Sequence, residues 1–225
     1  MSIELPLGKD FYMLRHAQTE DNVNKLVSGS TSSTNLTEVG KKQALEMQEL
    51  LCKLDPRTDP EIGRIITSEM QRTKDTASII CACKTLEKLP VSIDSGLNER
   101  AYGTAEGMGD KERNELKKSG AIIEGEESKE DVAKRSLQAV IRNLEGKSNV
   151  PLFISHGGNI RRVVEAVLGV DFVEKTSEYI TNCTLYEFIA ARISGQAGRV
   201  NVISLGENKK IHRRAFGDQL LGSSL

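Results

Sequence analysis

The hydrophobic pattern along the chain predicts short buried strands that alternate with amphipathic helices. Four apolar runs of strand length are bounded by charged, polar or turn-forming residues, at 10–16, 64–67, 90–94 and 150–155. Longer segments carry apolar residues at helical spacing, at 37–54, 68–84, 128–146 and 157–169. This alternation is typical of an α/β fold in which a mostly parallel central sheet carries helices on both faces.

Capping residues indicate where the predicted helices begin and end. Thr37 and Ser68 precede two of them and can accept hydrogen bonds from the first backbone N–H groups. Ser128 and Asp131 have the spacing of a capping box. Gly169 occupies the position after the last helix, where glycine is favoured.

The C-terminal part of the chain departs from the strand–helix alternation. The apolar runs at 183–189 and 200–205 flank a glycine-containing segment, which predicts an antiparallel hairpin at the sheet edge. Because the pattern contains no internal repeat and no linker, we expect a single domain over residues 1–205. The basic segment 206–225 is predicted to be a solvated, partly disordered tail.

Charge and hydropathy narrow the class of protein further. The 225 residues include 31 Lys and Arg and 32 Asp and Glu, a balance that disfavours non-specific binding to nucleic acid. No apolar run approaches the roughly 18–20 residues of a membrane-spanning helix. The first residues are charged where a signal peptide is apolar. We therefore expect a cytoplasmic protein that binds neither membrane nor nucleic acid.

The four cysteines do not indicate a metal site. Cys52, Cys81, Cys83 and Cys183 form no CxxC pair and have no metal-ligand spacing to the three histidines. Cys81 and Cys83 lie in an apolar stretch, so we expect small buried hydrophobic residues there rather than a redox pair.

Two histidines occupy matched positions at the ends of predicted strands. His16 ends the run at 10–16, and His156 follows the run at 150–155. Ligands of open α/β sheets bind beyond the carboxyl ends of the strands. Arg15 precedes His16, and Gly157 opens a helix whose backbone N–H groups can bind an anion. Either histidine alone would be interpreted as a hydrogen-bonded structural residue, but together with Arg15 they predict an anion site.

The sequence around these histidines resembles motifs of the histidine phosphatase superfamily, which includes the cofactor-dependent phosphoglycerate mutases. LRHAQTEDN (14–22) resembles the R-H-G-x-[ST]-x-x-N signature, and ISHGGNIRRVV (154–164) resembles the later S-H-G-G-x-I-R motif. Three further segments match family motifs in the expected order, namely SEMQRTKDTA (68–77), GLNERAYGTAEG (96–107) and NCTLYEF (182–188).

This resemblance implies metal-independent phosphoryl transfer through a phosphohistidine, with no cofactor. His16 matches the nucleophile, and Glu99 matches the general acid that protonates the leaving group. Arg15 and Arg72 match the phosphate-clamping arginines, whose planar guanidinium groups suit phosphate oxygens. Further implied substrate-binding positions are Asn22, Ser28, Gly29 and His156, together with the backbone of Gly157.

Departures from the family pattern bear on the choice of reaction. Ala17 stands where the family usually has glycine, and the double glycine after His156 is typical of the phosphatase members. The stretch from Gly107 to Ser155 lacks the adjacent arginines that mutases carry there. Conversely, residues 97–103 resemble mutases, and Lys111 is placed where it could contact a substrate carboxylate.

We therefore expect a phosphatase that hydrolyses a small phosphorylated metabolite. A cofactor-dependent phosphoglycerate mutase, primed by 2,3-bisphosphoglycerate, is the alternative. A non-catalytic protein that binds a phosphorylated ligand is a third hypothesis, against which Glu99 counts because mere binding needs no general acid. For the tail at 206–225, the resemblance to mutases adds the alternative of a flap over the site. The sequence makes no prediction about oligomeric state.

Overall fold

The computed structural model describes residues 8–146, 149–168, 180–189, 198–205 and 211–216. Within these residues, seven strands form one sheet, namely β1 (Phe11–Arg15), β2 (Ile62–Thr67), β3 (Val91–Ile93), β4 (Val150–Ser155), β5 (Leu185–Ile189), β6 (Arg199–Leu205) and β7 (Ile211–Phe216). The same residues contain six α-helices, namely α1 (Glu20–Asn24), α2 (Glu38–Leu51), α3 (Gln71–Ile80), α4 (Asp110–Lys118), α5 (Lys129–Leu144) and α6 (Gly157–Leu168). Short 3₁₀ turns occur at Ser95–Leu97 and Gly103–Ala105.

The strands are ordered β3-β2-β4-β1-β5-β6-β7 across the sheet. The first four strands in this order pair in parallel. Strand β1 marks the change of direction, since Leu14 faces Ile154 of the parallel strand β4 and Leu185 of the antiparallel strand β5. Strands β5 and β6 pair antiparallel, as the sequence predicts. The α/β fold with a parallel core and an antiparallel edge hairpin is confirmed.

Strand β7 extends the antiparallel side beyond the predicted hairpin. Its residues 211–216 pair with β6, with Arg214 opposite Val202. They fall within the segment 206–225 that the sequence predicts as a tail, so the sheet includes part of that segment. The strand is mostly exposed and strongly basic, and it therefore lacks the apolar pattern by which buried strands are found. The rest of the predicted tail lies outside the described residues.

Helices cover both faces of the sheet, as predicted. Along β1, successive side chains point to opposite faces. Phe11 and Met13 pack in one core cluster with apolar residues of α5 and α6. Tyr12 and Leu14 pack in a second cluster with apolar residues of α2 and α3. Burial on both faces accounts for the nearly continuous apolar sequence of this strand.

The helix ends agree with the predicted caps in two cases and differ in one. The hydroxyl of Thr37 accepts a hydrogen bond from the N–H of Gly40 at 2.9 Å, and that of Ser128 from Asp131 at 3.0 Å. Ser68 is wrong as the cap of α3, which begins at Gln71. The Ser68 hydroxyl instead contacts His156, as described below. Gly169 lies outside the described residues.

Helices α1 and α4 were not predicted from the hydrophobic pattern. Neither contains a buried residue, so neither has an apolar stripe for the pattern to reveal. Within the described part of the chain, no helix has the length and apolar character needed to cross a membrane.

Candidate active site

The parallel pairing of β1 with β4 brings the two histidines together. Arg15 lies opposite Ser155 in the sheet, so the residues that follow them, His16 and His156, leave neighbouring strands at the same edge. Their ring centroids are 5.2 Å apart, and only 3% and 0% of the two residues is exposed. The structure thus places both at the carboxyl ends of parallel strands, as the sequence predicts.

The imidazole of His16 is held in one orientation by the backbone. Its Nδ1 lies 2.8 Å from the carbonyl oxygen of Ala17. Because a carbonyl oxygen only accepts hydrogen bonds, we assign the proton to Nδ1, which leaves the lone pair of the neutral ring on Nε2. Burial, together with the positive charges of Arg72 and Arg15, lowers the pKa of His16 well below its ordinary value. The ring is therefore neutral and nucleophilic at physiological pH.

His156 is held from both sides by side chains of the α3 region. Its Nδ1 accepts a hydrogen bond from Nε of Arg72 at 3.3 Å, and its Nε2 lies 2.9 Å from the hydroxyl of Ser68. Burial and the charge of Arg72 lower the pKa of His156 well below its usual range. In this arrangement a neutral His156 orients the guanidinium of Arg72. Direct contact of His156 with phosphate remains a prediction.

Two arginines border the histidine pair, and Arg72 is buried whereas Arg15 is half-buried. Arg72, which is 1% exposed, donates hydrogen bonds to the carbonyl oxygens of Ser32 at 3.1 Å and Gly29 at 3.2 Å. Arg15 donates through Nη1 to the carbonyl of Ile180 at 2.7 Å. Nε of Arg15 is buried and has no hydrogen-bond partner among the described residues. The hydrogen-bonding capacity of this N–H group is therefore unused among the described residues.

Glu99 is a buried carboxyl group with little hydrogen-bonding support. One oxygen accepts a hydrogen bond from the backbone N–H of Arg100 at 2.9 Å, and the other lies 4.0 Å from Nδ1 of His156. Burial raises the pKa of Glu99, and the opposing effects of the Arg100 N–H, Arg72 and Arg15 do not offset it. The group can therefore hold a proton at higher pH than an ordinary glutamate.

Gly158 leaves the space that the Glu99 carboxyl occupies. A Cβ atom at this position would lie 2.6 Å from Oε1 of Glu99. At Gly157, by contrast, a Cβ would be 3.5 Å from Nε of Arg15, an ordinary contact distance. A side chain at position 158, the second glycine after His156, would therefore collide with the Glu99 carboxyl group.

Asn22 lies near His16, and its amide oxygen is already hydrogen-bonded within the protein. That oxygen accepts hydrogen bonds from the N–H of Thr19 at 3.1 Å and from Nδ2 of Asn182 at 2.9 Å. Asn182 also donates to the carbonyl of His16 at 3.1 Å. Both bonds engage the amide oxygen, and donation from the NH₂ group of Asn22 to phosphate remains a prediction. Asn182 is a positioning residue whose role the sequence analysis missed, although it lies in a matched motif.

Ser28 and Gly29 contact the scaffold in this structure. The Ser28 hydroxyl donates to Ser32, and the Gly29 carbonyl accepts from Arg72. Neither residue lines the cavity beside the site. The structure gives these two residues a part in holding Arg72, and their contact with substrate remains a prediction.

A cavity of about 370 Å³ opens beside Glu99 and Arg15. Tyr102 also lines it, and burial together with the nearby Glu99 carboxylate raises the pKa of Tyr102 to about 12, so its hydroxyl remains a neutral donor. The described wall is otherwise mainly cationic, through Arg100, Lys129, Arg161 and Arg162. Among the described residues, no cluster of three or more histidine, cysteine or acidic side chains could hold a metal ion.

Comparison with known proteins gives results that agree with this geometry. A model of the histidine phosphatase superfamily (branch 1) matches residues 11–203. A glucosyl-3-phosphoglycerate phosphatase of Mycolicibacterium vanbaalenii is 31% identical over 175 residues, which cover 70% of this chain and 73% of that protein. A probable phosphoglycerate mutase of Cronobacter sakazakii is 29% identical over 185 residues, covering 77% and 81%. The solved structure of a mycobacterial glucosyl-3-phosphoglycerate phosphatase superposes with a TM-score of 0.60 at 25% identity, covering 80% of this chain and 89% of that one.

Proposed function

The chain belongs to the histidine phosphatase superfamily, and from this premise we propose that it hydrolyses a small phosphomonoester through a phosphohistidine at His16. The observation that carries the proposal is a neutral, backbone-oriented His16 beside the buried Arg72, the half-buried Arg15 and a buried carboxyl group of raised pKa. Nucleophile, anion clamp and proton donor are then present at one edge of the sheet.

In the first step, Nε2 of His16 attacks phosphorus, and the bond from phosphorus to the ester oxygen breaks. Glu99 donates its proton to the departing oxygen, so that an alcohol leaves rather than an alkoxide. Arg15 and Arg72 stabilise the charge on the transferring phosphoryl group. The step ends with a phosphohistidine and an ionised Glu99.

In the second step, water replaces His16 on phosphorus. The Glu99 carboxylate takes a proton from the attacking water, and the phosphorus–nitrogen bond breaks. Inorganic phosphate leaves, and the neutral His16 and protonated Glu99 are restored. The same carboxyl group thus serves as acid and then as base.

The arginines between Gly107 and Ser155 favour hydrolysis over phosphoryl return to the substrate. Each of the three pairs with an acidic residue of the chain: Arg113 with Glu126, Arg135 with Glu127, and Arg142 with Asp94. None is left to hold a bisphosphate intermediate away from water. Lys111 is exposed on α4 and does not line the cavity.

A phosphoglycerate mutase is the second candidate, because the cavity carries further cations and one relative bears that name. Incubation with 3-phosphoglycerate and a priming amount of 2,3-bisphosphoglycerate separates the two reactions. A panel of other phosphomonoesters, p-nitrophenyl phosphate included, belongs in the same assay. We expect phosphate release to exceed isomerisation. Isomerisation with negligible phosphate release would establish the mutase, and no turnover of any substrate would favour the non-catalytic binder.

A further inference from the structure

The cavity beside the site carries more positive charge than one phosphate group requires. Five cationic side chains line its described wall, against the single carboxyl group of Glu99; they are Arg15, Arg100, Lys129, Arg161 and Arg162. Arg15 belongs to the proposed phosphate clamp, which Arg72 completes. The other four cations have no part in that clamp.

Two of these four cations have partners within the protein. Arg100 lies 3.5 Å from a carboxylate oxygen of Glu126. Arg162 pairs with Glu165, one turn further along α6, at 2.5 Å. Their charges are thus partly balanced before any ligand binds.

Arg161 and Lys129 have no ion pair among the described residues. Arg161 lies in α6 and is half-buried, whereas Lys129 is the exposed first residue of α5, and both line the cavity. Burial is the largest cause of the lowered pKa of Arg15, and the charge of Arg161 adds to it. Two guanidinium groups therefore repel each other beside the reacting centre, and an anion bound there would relieve that repulsion.

We propose that Arg161 and Lys129 form a subsite for a second anionic group of the substrate. The substrate class is then a small phosphomonoester that also carries a carboxylate or a second phosphate. A cavity of about 370 Å³ has room for a metabolite of this kind. This assignment rests on the proposed phosphatase function, so its test must separate the two.

Pairs of substrates that differ in the second anion provide that test. 3-Phosphoglycerate and glycerol 3-phosphate share one skeleton, and only the first has a carboxylate; glycerol 1,3-bisphosphate adds a second phosphate. We expect kcat/KM for at least one of the two doubly anionic substrates to exceed that for glycerol 3-phosphate about tenfold or more. Glycerol 3-phosphate lacks the second anion and so loses a hydrogen bond to a charged side chain, and a loss of that size is typical of such a bond. The preferred substrate identifies the anion. Equal kcat/KM for all three would overturn the subsite while leaving the phosphatase intact.

Substitution of Arg161 tests whether this residue is responsible for the preference for a doubly anionic substrate. In Arg161→Met the preference should fall about tenfold, and Arg161→Lys should restore part of it. Arg57→Met is the matched control, because Arg57 is largely exposed and does not line the cavity. A preference that survives in Arg161→Met would contradict the assignment. Failure of the unsubstituted protein to hydrolyse any of these esters or p-nitrophenyl phosphate would refute the phosphatase itself.

Cys52 and Cys83 carry a different and independent inference. Cys52 ends α2, Cys83 lies three residues beyond α3, and their sulfur atoms are 3.0 Å apart. A disulfide bond is about 2.05 Å long, so the sulfurs need to approach by only about 1 Å. The sequence does not reveal this pair, because its members are 31 positions apart in the chain.

The two thiols differ in exposure and in pKa, and these differences favour oxidation of Cys83 first and reaction of Cys52 second. Cys52 is exposed to solvent. Burial opposes ionisation of Cys83, but hydrogen bonds from Cys52 and from the backbone N–H groups of Leu86 and Thr85 outweigh it and lower the pKa of Cys83. The thiolate is the reactive form of cysteine.

We infer that Cys52 and Cys83 are a site of reversible oxidation by hydroperoxides. The Cys83 thiolate attacks a peroxide oxygen, the O–O bond breaks, and a sulfenic acid and hydroxide form. The Cys52 thiol then attacks the sulfenic sulfur, releases water and closes the disulfide. Two thiols lose two electrons in total, and one hydrogen peroxide is reduced to water.

Treatment of the intact protein with hydrogen peroxide tests this site. We expect the free-thiol count to fall from four to two, a tryptic peptide pair linked through Cys52 and Cys83, and recovery of the thiols with dithiothreitol. Cys52→Ser should stop at a trappable sulfenic acid on Cys83, and Cys183→Ser should form the bridge as usual. An unchanged thiol count, or linkage through Cys81 or Cys183, would overturn the inference.

Discussion

Glu99 and Glu106 lie in one segment of the chain, yet their surroundings shift the pKa values of the two carboxyl groups in opposite directions. Glu106 accepts hydrogen bonds from the backbone N–H groups of Ser30, Thr31 and Tyr102. Burial acts to raise its pKa, but these bonds and that of the Thr31 hydroxyl outweigh burial and lower the pKa of Glu106. Glu99 has one backbone donor, and burial keeps its pKa raised.

This difference suggests separate roles for the two carboxyl groups, a structural role for Glu106 and proton transfer for Glu99. Glu106 fastens the loop at 28–32, whose carbonyl groups in turn hold Arg72. A carboxylate so fully engaged is poorly suited to take up and release a proton. Glu99 has few hydrogen bonds beside His156, and in the proposed mechanism it is the group that exchanges a proton with the substrate.

Glu99→Gln should reduce kcat on alkyl phosphates by about 10²–10⁴-fold, because the amide cannot protonate a poor leaving group. The loss on p-nitrophenyl phosphate should be much smaller, since that anion leaves without a proton. Steady-state kinetics on both substrates give the ratio. Glu106→Gln is the matched control and should reduce both activities by a similar, smaller factor. Equal losses for Glu99→Gln on the two substrates would remove it as the acid.

Gly158→Ala should reduce kcat on alkyl phosphates by about 10²-fold, because the added methyl group displaces the Glu99 carboxyl by a distance of ångström order. Gly157→Ala meets only ordinary contact distances and should cost less. The comparison of kcat between the two variants checks the effect. A larger loss in Gly157→Ala would mean that close approach of its backbone to phosphate, and not space for Glu99, governs this turn.

The two glutamine variants should change stability in opposite directions. The folded-state pKa of Glu99 is raised, so its stability contribution is present below the unfolded pKa and lost as pH rises through the folded pKa. The folded-state pKa of Glu106 is lowered, so its contribution is present above the unfolded pKa and lost as pH falls through the folded pKa.

Near pH 8, Glu99→Gln should therefore raise the free energy of unfolding and Glu106→Gln should lower it, each by about 1 kcal/mol after allowance for solvent screening of Glu106. Both differences should shrink as pH falls below about 4, where the unfolded chain is also protonated. Urea unfolding across pH measures them. Changes of the same sign would contradict the contrast.

Ser28→Ala should have the smallest effect, a change of less than about threefold in kcat/KM, because among the described residues the hydroxyl hydrogen-bonds only to Ser32. A larger rise in KM with kcat unchanged would restore Ser28 as a substrate contact.

The sequence predicted the fold and the paired histidines because both depend on local pattern. The apolar runs identify β1 and β4, and the residues that follow them identify His16 and His156. Family motifs then supplied Arg72 and Glu99, which hydrophobic pattern alone would have left as surface charges. The hydrogen bonds and burial of each group could not be predicted from the sequence, because they depend on contacts between distant segments. Examples are the contacts of Asn182 with Asn22 and of Cys52 with Cys83.

Rapid-quench trapping of the protein with a radiolabelled phosphomonoester would show whether a phosphohistidine forms at His16. The proposed mechanism predicts a transient phosphoprotein whose label is lost in acid and retained in base, as a phosphoramidate requires, and which maps to His16. His16→Ala should give no label, with activity lower by about four orders of magnitude or more. An acid-stable label, or the same label in His16→Ala, would contradict a phosphohistidine at this position.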